Sequence, residues 1–315
     1  MQPTWGSFEL EDETGSSNTT RFPLIGIGFP VQEARGVATF TLAGFMEQRW
    51  TGERSELIDL AGEQVLVEDR FETSGGTSIA RLGWAQRVFR QRLAVGVSVG
   101  AYVGRLEQSF DRTLDSLSIG DRVRPFSELS EWRYSGYTLA AGISADPHDL
   151  IHLAAAVEWS GDITETPRPG TEGAANTYSV PLRLSGGGTV QLTPRFQLNG
   201  SIAWQDWSSA TGFPDGVASH LKFTYGGGLE WRAIQQETRS VPLRFGYRRV
   251  VPPFRYHRYD PIETVWSAGV GFNIVELAAI RFGWIDLAAE YGTRDSHPLS
   301  ERFWRGTVSL GISRF

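Results

Sequence analysis

Four charged residues stand in stretches where polar and apolar residues alternate: Arg244, Arg248, Glu290 and Arg305. In a β-strand such alternation sends the charged side chains to one face and the apolar ones to the other. A guanidinium binds a carboxylate through two parallel N–H donors. These residues are therefore candidates for binding the carboxylate of a ligand, and also for pairing with acidic residues of the chain itself.

Acidic residues stand at positions that would allow pairing within the chain. Glu230 lies across a short predicted turn from Arg244, and Arg305 lies across a predicted loop from Glu290. Asp286 shares the alternation of Glu290 and should face the same way. Because a charge held away from water needs a partner, an internal network of ion pairs is the simpler interpretation. Binding of a ligand carboxylate by the four residues above is the more specific hypothesis.

The five histidines form no catalytic or metal-ligating pattern. His148 and His152 are four residues apart, a spacing that suits a helix rather than a strand, and no Glu-x-x-His sequence accompanies them. The glycine triplets at 186–188 and 226–228 lack the lysine and the following helix of a phosphate loop. The sequence therefore predicts no enzyme activity, no metal site and no cofactor.

Composition excludes several classes of protein. The chain has 315 residues with no cysteine, so disulfides and thiolate metal sites are absent. Its formal net charge is -6, whereas nucleic-acid-binding proteins usually have an excess of basic residues. The sequence contains no apolar run of 18 residues, the length needed for a transmembrane helix. High contents of glycine and aromatic residues, 36 Gly and 11 Trp among them, favour a sheet protein.

Two-residue alternation runs through almost the whole chain and predicts strands rather than helices. From Leu93 to Val103, large aliphatic residues alternate with small or polar ones such as Ser98 and Gly100. This pattern is typical of a barrel with lipid outside and a polar lumen inside. The predicted strands lie near 4–12, 20–31, 36–50, 74–89, 92–112, 129–145, 149–163, 177–193, 195–208, 218–233, 241–251, 263–274, 280–293 and 300–315.

The predicted connections alternate between short and long. Long links are expected near 13–19, 51–73, 113–128, 164–176, 209–217, 252–262 and 294–299, with turns of a few residues between them. Transmembrane barrels have short turns at one end and longer loops at the other. The sequence therefore predicts an all-β fold, a transmembrane antiparallel β-barrel of about fourteen strands, formed by residues 1–315 as a single domain.

Aromatic residues cluster at the predicted strand ends and indicate two interfacial belts. Trp132, Tyr134 and Trp159 belong to the belt beside the long links, and Trp84 to the belt beside the short ones. The chain ends in an alternating stretch that closes on Phe315. A final strand with a terminal aromatic residue is common in outer-membrane barrels.

Two prolines interrupt the alternation. Pro23 and Pro181 fall inside predicted strands, where proline cannot donate a ladder hydrogen bond. We therefore expect a bulge or kink at each. At the N-terminus, Met1 to Trp5 run straight into strand-like sequence without the features of a signal peptide. Since an outer-membrane protein needs export, we expect a further segment upstream.

Four segments carry a resemblance to a known family. They comprise Val180-Pro-Leu-Arg-Leu-Ser-Gly-Gly-Gly-Thr-Val-Gln-Leu-Thr-Pro followed by Arg195-Phe-Gln-Leu-Asn-Gly-Ser-Ile-Ala-Trp-Gln-Asp-Trp-Ser208, then Val241-Pro-Leu-Arg-Phe-Gly-Tyr247, Trp266-Ser-Ala-Gly-Val-Gly-Phe272 and Ile285-Asp-Leu-Ala-Ala-Glu-Tyr-Gly-Thr-Arg294. In order and spacing this set resembles the outer-membrane transporters of long-chain fatty acids and other hydrophobic compounds. The resemblance covers roughly residues 20–315.

The resemblance implies a fourteen-stranded barrel with an N-terminal hatch, in the outer membrane of a Gram-negative-type bacterium. It also implies transport of fatty acids or other hydrophobic small molecules, which leave sideways through a strand kink or out through the lumen. Implied partners are outer-membrane lipid, a hydrophobic ligand and the barrel-assembly machinery. The hatch motif has no counterpart before Trp5, so no hatch residue is carried over.

Two other functions stay open on the residues alone. A secretion-system accessory barrel would bind a protein partner, and an open porin would pass small polar solutes. The polar lumen face is compatible with the porin, and ion conductance would distinguish it.

Overall fold

The computed structural model describes residues 1–10, 13–31, 36–60, 63–89, 92–114, 126–212, 221–235, 240–253, 260–277, 280–296 and 299–312. All of its strands belong to one antiparallel sheet. The strands are β1 (Gln2–Leu10), β2 (Glu13–Arg21), β3 (Leu24–Val31), β4 (Gly36–Leu60), β5 (Glu63–Val88), β6 (Leu93–Leu114), β7 (Phe126–His148), β8 (Ile151–Ser160), β9 (Ile163–Pro167), β10 (Asn176–Tyr178), β11 (Arg183–Thr193), β12 (Phe196–Asp206), β13 (Leu221–Gln235), β14 (Ser240–Val251), β15 (Ile262–Leu277), β16 (Ile280–Ser296) and β17 (Leu299–Ile312).

The sheet closes on itself. The first strand pairs with the last, from Thr4 opposite Arg305 to Leu10 opposite Leu299. Three strand positions of the ring are each divided into two segments, namely β2 with β3, β8 with β9 and β10 with β11. The seventeen segments therefore occupy fourteen positions around the ring, and the predicted all-β barrel of about fourteen strands is confirmed.

Both predicted proline interruptions are present. The strand position formed by β2 and β3 breaks at Phe22 and Pro23, and the one formed by β10 and β11 breaks between Ser179 and Leu182, around Pro181. Proline lacks the N–H that a continuous ladder requires. The break at Pro23 has the larger consequence. After the break, β3 pairs with β4. Before it, β2 pairs only with β1 among the described residues.

Two of the predicted long links are instead strands, and the bounds of a third were wrong. Residues 13–19 lie within β2, and residues 51–73 lie almost wholly in the hairpin of β4 and β5. Residues at both ends of the 113–128 link belong to β6 and β7. The acidic composition of 51–73 disguised these strands, because charges that pair across strands, such as Arg54 opposite Asp69, are compatible with a sheet.

Strands β4 to β7 are far longer than a membrane requires. They have 25, 26, 22 and 23 residues, whereas about 9–11 residues cross the hydrocarbon core. The excess lies at one end of the barrel and forms a four-stranded extension of its wall. We call the part formed by residues 47–60, 63–73, 106–114 and 126–132 the extension.

The two faces of the sheet follow the predicted alternation. Leu82, Val97 and Trp266 are each more than 60% exposed on the outer face. The buried core lies on the inner face and comprises Ile79, Tyr102, Leu106, Tyr134, Ile163 and Val180, with Phe45, Trp132 and Tyr178 packed against them. Trp132 and Tyr134 thus lie inside the ring, and their assignment to an outer aromatic belt was wrong.

The final strand is described as far as Ile312, and Phe315 lies outside the described residues. Within the described ranges, no helix has the length and apolarity to cross a membrane.

Candidate functional site

The inner face of β13 to β16 holds Arg244 between two carboxylates. Its Nε donates to Glu230 Oε2 at 2.9 Å, and its Nη1 donates to Asp286 Oδ1 at 2.7 Å. Glu230 and Arg244 are directly opposite in the β13–β14 ladder, as the sequence suggested. Arg244 is therefore occupied by acidic residues of the chain itself.

A second group of ion pairs lies nearer the extension. Arg305 Nη1 donates to Glu290 Oε2 at 2.9 Å across the β16–β17 ladder, as expected from the sequence. Arg294 donates to Glu263 at 2.8 Å and to Glu301 at 2.6 Å. The sequence analysis did not identify Arg294, Glu263 or Glu301 as members of the network. Arg294 has the same parity as Glu290 on β16, so the alternation that selected Glu290 could also have selected Arg294.

Arg248 differs from the other arginines of this wall. Its Nη2 lies 3.6 Å from Glu263 Oε1 and 3.7 Å from Glu290 Oε2, distances that exceed those of a hydrogen bond. Its Nε is buried and has no acceptor in the structure. The Nε of Arg294 is likewise buried without an acceptor, so the difference lies at Nη2. The Arg248 side chain is 39% exposed and its Nη2 contacts neither carboxylate at hydrogen-bond distance, which leaves it able to donate to a ligand.

A cavity of about 370 Å³ lies on the lumen side of this wall. Glycines make room for it, because Gly226, Gly228 and Gly246 present no side chain to the space. Polar side chains complete the lining, among them His152, Asn199, Ser201 and Ser267. Of the four residues predicted for ligand binding, Arg248 and Glu290 line this cavity, whereas Arg244 and Arg305 do not.

The opposite wall of the lumen contains an apolar cluster, beside which Arg81 and Glu158 form an ion pair at 2.6 Å. Glu165 of β9 accepts hydrogen bonds from the hydroxyl groups of Tyr134, at 2.6 Å, and Tyr178, at 2.5 Å. Tyr102 packs edge-on against Phe45 beside them, with ring centroids 5.0 Å apart. Sequence reasoning missed this group, because residues 164–176 were predicted to be a link outside the sheet.

A third feature is an interruption of the barrel wall. Beyond Ala43, β4 pairs only with β5 among the described residues, and the neighbouring β2 pairs only with β1. A cavity of about 470 Å³ opens between these two edges. Phe22, Pro23, Phe45 and Met46 contribute apolar side chains to its lining, and Arg21, Glu47 and Arg49 contribute charged ones. We call this opening the lateral gap.

Local backbone geometry maintains the lateral gap. The ladder of β4 and β5 shifts register between Gly44 and Met46, which turns the chain out of line at the gap. Gly75 has φ of +136°, a conformation that favours glycine. A Cβ on Gly76 would lie 2.3 Å from the carbonyl oxygen of Met46. The gap ends where the β3–β4 ladder begins, and there the N–H of Gly44 donates to the carbonyl oxygen of Pro23 at 3.1 Å.

Among the described residues, no three histidine, aspartate or glutamate side chains come together as a metal site. The lumen has a polar wall that includes Arg248, an apolar cluster opposite it, and a lateral gap lined by apolar and charged side chains.

No protein-family model matches the sequence, and no curated protein matches it either. Solved structures do match. The chain is 12% identical to the CymD monoaromatic hydrocarbon channel, with a TM-score of 0.56 over 99% of this chain and 88% of that one. It is also 12% identical to a Pseudomonas aeruginosa FadL homologue, with a TM-score of 0.57 over 98% of this chain and 88% of that one.

A third match is the Pseudomonas putida toluene transporter TodX, with 12% identity and a TM-score of 0.52 over 98% of this chain and 88% of that one. At this level of identity the likeness concerns the fold. The closed ring of fourteen strand positions is thus the fold of these hydrocarbon and toluene transport barrels.

Proposed function

We propose that this protein is an outer-membrane channel for hydrophobic and amphipathic small molecules such as long-chain fatty acids, with residues 1–315 forming one barrel domain. The observation that carries the proposal is the lateral gap between β2 and β4. The gap gives a molecule in the lumen a sideways exit beside the apolar side chains of Phe22, Phe45 and Met46. The free energy of a hydrophobic molecule falls when it passes from the lumen directly into lipid.

The chemistry of the gap supports this route. Phe22, Pro23, Phe45 and Met46 give a ligand apolar contact along the opening. Met46 is exposed, and methionine adapts to ligands of different shape. Flux would follow the concentration gradient, with no bond chemistry and no cofactor.

The polar wall supports a ligand with a polar head. Arg248 and Glu290 line the lumen cavity, and Arg248 Nη2 lies 3.6 and 3.7 Å from the carboxylates beside it, beyond hydrogen-bond distance. Arg244 and Arg305 hold their carboxylates at hydrogen-bond distance. Among the four predicted residues, Arg248 is therefore our first choice for contact with a ligand carboxylate. Glu290 would position its guanidinium.

A reversible closure of the lateral gap tests the proposal. The chain has no cysteine, so Thr20→Cys with Met46→Cys introduces the only thiols, one on each side of the gap. A cleavable bifunctional thiol reagent would then bridge the opening. We expect uptake of radiolabelled oleate or toluene by whole cells to fall after bridging and to recover after reduction.

A matched control places the bridge where the wall is already closed. Ile27 and Phe40 are directly opposite in the β3–β4 ladder below the gap. Ile27→Cys with Phe40→Cys should accept the same reagent without loss of uptake. Equal uptake by the bridged gap variant and this control would show that ligands do not leave through the gap.

An open pore for small polar solutes is the second candidate. It is favoured by the polar lining of the lumen cavity, which includes Asn199, Ser201 and Ser267. Steady ion conductance in planar bilayers, unchanged when the gap is bridged, would support a pore and count against the lipid-directed route.

A scaffold for a protein partner is the third candidate, and the extension of β4 to β7 favours it. A stable complex recovered from native membranes, and lost when the extension is shortened, would support a scaffold.

A further inference from the structure

Five aromatic side chains form a row across the outer face of five neighbouring strands. Successive ladders place Tyr247 opposite Trp266, Trp266 opposite Tyr291, Tyr291 opposite Trp304, and Trp304 opposite Trp5. The rings of Tyr247 and Trp266 are 4.8 Å apart, and those of Tyr291 and Trp304 are 5.0 Å apart. Trp and Tyr in such a row are typical of the membrane interface.

A groove of about 550 Å³ lies against this row on the side away from the extension. Small residues leave it open, since Ala268 and Ala289 follow Phe245 in the cross-strand row next to the aromatic one. Almost all of its lining is apolar. The groove faces away from the lumen and is separate from the cavity at Arg248.

The next row toward the extension carries two arginines. The ladders place Arg249 opposite Thr264, Thr264 opposite Thr293, and Thr293 opposite Arg302. The two arginines are thus three strand spacings apart, roughly 14 Å between their backbones. Their parity puts both on the outer face, directly above the aromatic row.

Neither Arg249 nor Arg302 has a carboxylate partner within the described part of the chain. This contrasts with the inner face of the same strands, where Arg244, Arg294 and Arg305 each contact a carboxylate at 2.9 Å or less. In a protein of net charge -6, two unpaired cations above an apolar groove indicate an anionic partner from outside the chain.

We propose that the outer face of β14 to β17 is a binding site for a phosphorylated, multiply acylated glycolipid of the outer leaflet. Its acyl chains lie in the groove below Trp266 and Tyr291. Two phosphates of its head group contact Arg249 and Arg302. The hydroxyl groups of Thr264 and Thr293 lie between the two arginines and suit the sugar.

Three features select this lipid. The groove and the arginines lie on either side of an interfacial aromatic row, so the ligand must have an apolar part and an anionic part. The separation of the arginines suits two anionic groups at separate positions of one head group. Both arginines lie on the extension side, which is the outer side if the long strands project from the cell. The inference rests on the outer-membrane location proposed above.

Native mass spectrometry of the full chain in detergent tests the site. The probe is a bisphosphorylated, hexa-acylated diglucosamine lipid, compared with its dephosphorylated form and with phosphatidylglycerol. We expect the bisphosphorylated lipid to bind with one-to-one stoichiometry and more tightly than either comparison lipid. Equal binding of all three, or tighter binding of phosphatidylglycerol, would overturn the proposal.

Variants locate the contacts. Arg249→Gln and Arg302→Gln should each weaken binding by about tenfold, the effect of one lost charge-assisted contact. Arg133→Gln changes another arginine of the outer face, on β7, and should leave affinity unchanged. If Arg133→Gln weakens binding as much as the other two, the attraction is a general effect of positive charge and the site is wrong.

A second pair of variants tests the groove. Ala289→Leu fills it, whereas Ala141→Leu adds the same bulk on the outer face of β7, away from the groove. Only Ala289→Leu should weaken binding, and equal behaviour of the two would exclude the groove as the acyl site. The heat-dependent gel mobility of each variant reports whether its barrel is folded.

The outcome is separable from the channel proposal. Ligand uptake measured on the Arg249→Gln, Arg302→Gln double variant should equal that of the parent protein. Loss of lipid binding with retained uptake supports both proposals. Absence of lipid binding to a parent protein that transports normally would refute the lipid site alone, and absence of uptake with normal lipid binding would refute the channel alone.

Discussion

Arg244 reaches across a whole strand to contact Asp286. Its Nη1 lies 2.7 Å from Asp286 Oδ1, although β15 runs between β14 and β16, which carry the two residues. Gly271 on β15 makes this possible, because a Cβ there would lie 2.5 Å from Asp286 Oδ1 and 3.4 Å from Arg244 Nη1. The lumen network therefore depends on a residue with no side chain.

The first prediction concerns Gly271→Ala. The new methyl group should displace the Asp286 carboxylate and weaken its hydrogen bond with Arg244. A hydrogen bond to a charged group contributes about 1.5–3 kcal/mol, and we expect a loss of stability near the lower end, because water reaches the lumen. Thermal unfolding in detergent measures it. Gly200→Ala is the matched control, since a Cβ there has no atom within 4 Å; equal melting temperatures for the two variants would contradict the prediction.

The second prediction separates binding from stability among the lumen arginines. Arg248→Gln should weaken fatty-acid binding by about tenfold, corresponding to about 1.4 kcal/mol, with little change in melting temperature. Arg305→Gln should lower the melting temperature, because it removes the 2.9 Å contact with Glu290. Tryptophan-quenching titration and thermal unfolding provide the two readouts. If Arg248→Gln binds oleate like the parent protein, Arg248 has no role toward a carboxylate.

The third prediction concerns pH and the extension. Arg112 donates to both oxygens of Asp69, at 2.6 and 2.7 Å, and these bonds lower the pKa of the Asp69 carboxyl below its usual value. A lowered pKa stabilises the folded extension above the unfolded value of about 3.9, and this contribution is lost as pH falls through the folded value. The protection of the β5 and β6 amides from hydrogen exchange should therefore be constant near neutral pH and fall only in acid.

Hydrogen exchange of the β5 and β6 amides, corrected for the intrinsic effect of pH, measures this dependence. Asp69→Asn should remove that part of the acid dependence and reduce protection at neutral pH. An unchanged profile in Asp69→Asn would show that the pair with Arg112 does not stabilise the extension.

The fourth prediction concerns Glu165 and its two tyrosine donors. Tyr134→Phe leaves the ring in the apolar cluster but removes one hydroxyl that donates to the carboxylate. The expected cost is about 1–3 kcal/mol, because a half-buried carboxylate loses a donor. Tyr137→Phe is the control on the outer face, where the ring packs edge-on against Trp159. Equal thermal stability of the two variants would contradict the role of Tyr134.

Much of the candidate site was accessible from the sequence because side-chain direction in a strand is a local property. Arg244, Arg248, Glu290 and Arg305 were assigned to one face by parity alone. The ladders then brought Glu230 to Arg244 and Arg305 to Glu290 as expected. Their roles toward a ligand stay a prediction. The pattern could not tell that Arg248 lies beyond hydrogen-bond distance of both neighbouring carboxylates, because that depends on distances of a few tenths of an ångström between strands.

Aromatic residues show where local patterns fail. Trp132 and Tyr134 stand near a strand end, as belt residues do, yet they lie inside the ring with Tyr102 and Leu106. The extension explains the error. Because β7 continues well beyond the membrane length, its residues near the predicted end are still part of the wall.

The sequence by itself determined the class of fold, the approximate number of strands and the positions of the proline breaks. These follow from two-residue alternation and from the missing N–H of proline, which act within a few residues. Only the tertiary structure decided the lateral gap, the extension and the choice of Arg248. Each depends on pairing between strands distant in sequence, and a single register shift such as that between Gly44 and Met46 changes what faces the lumen.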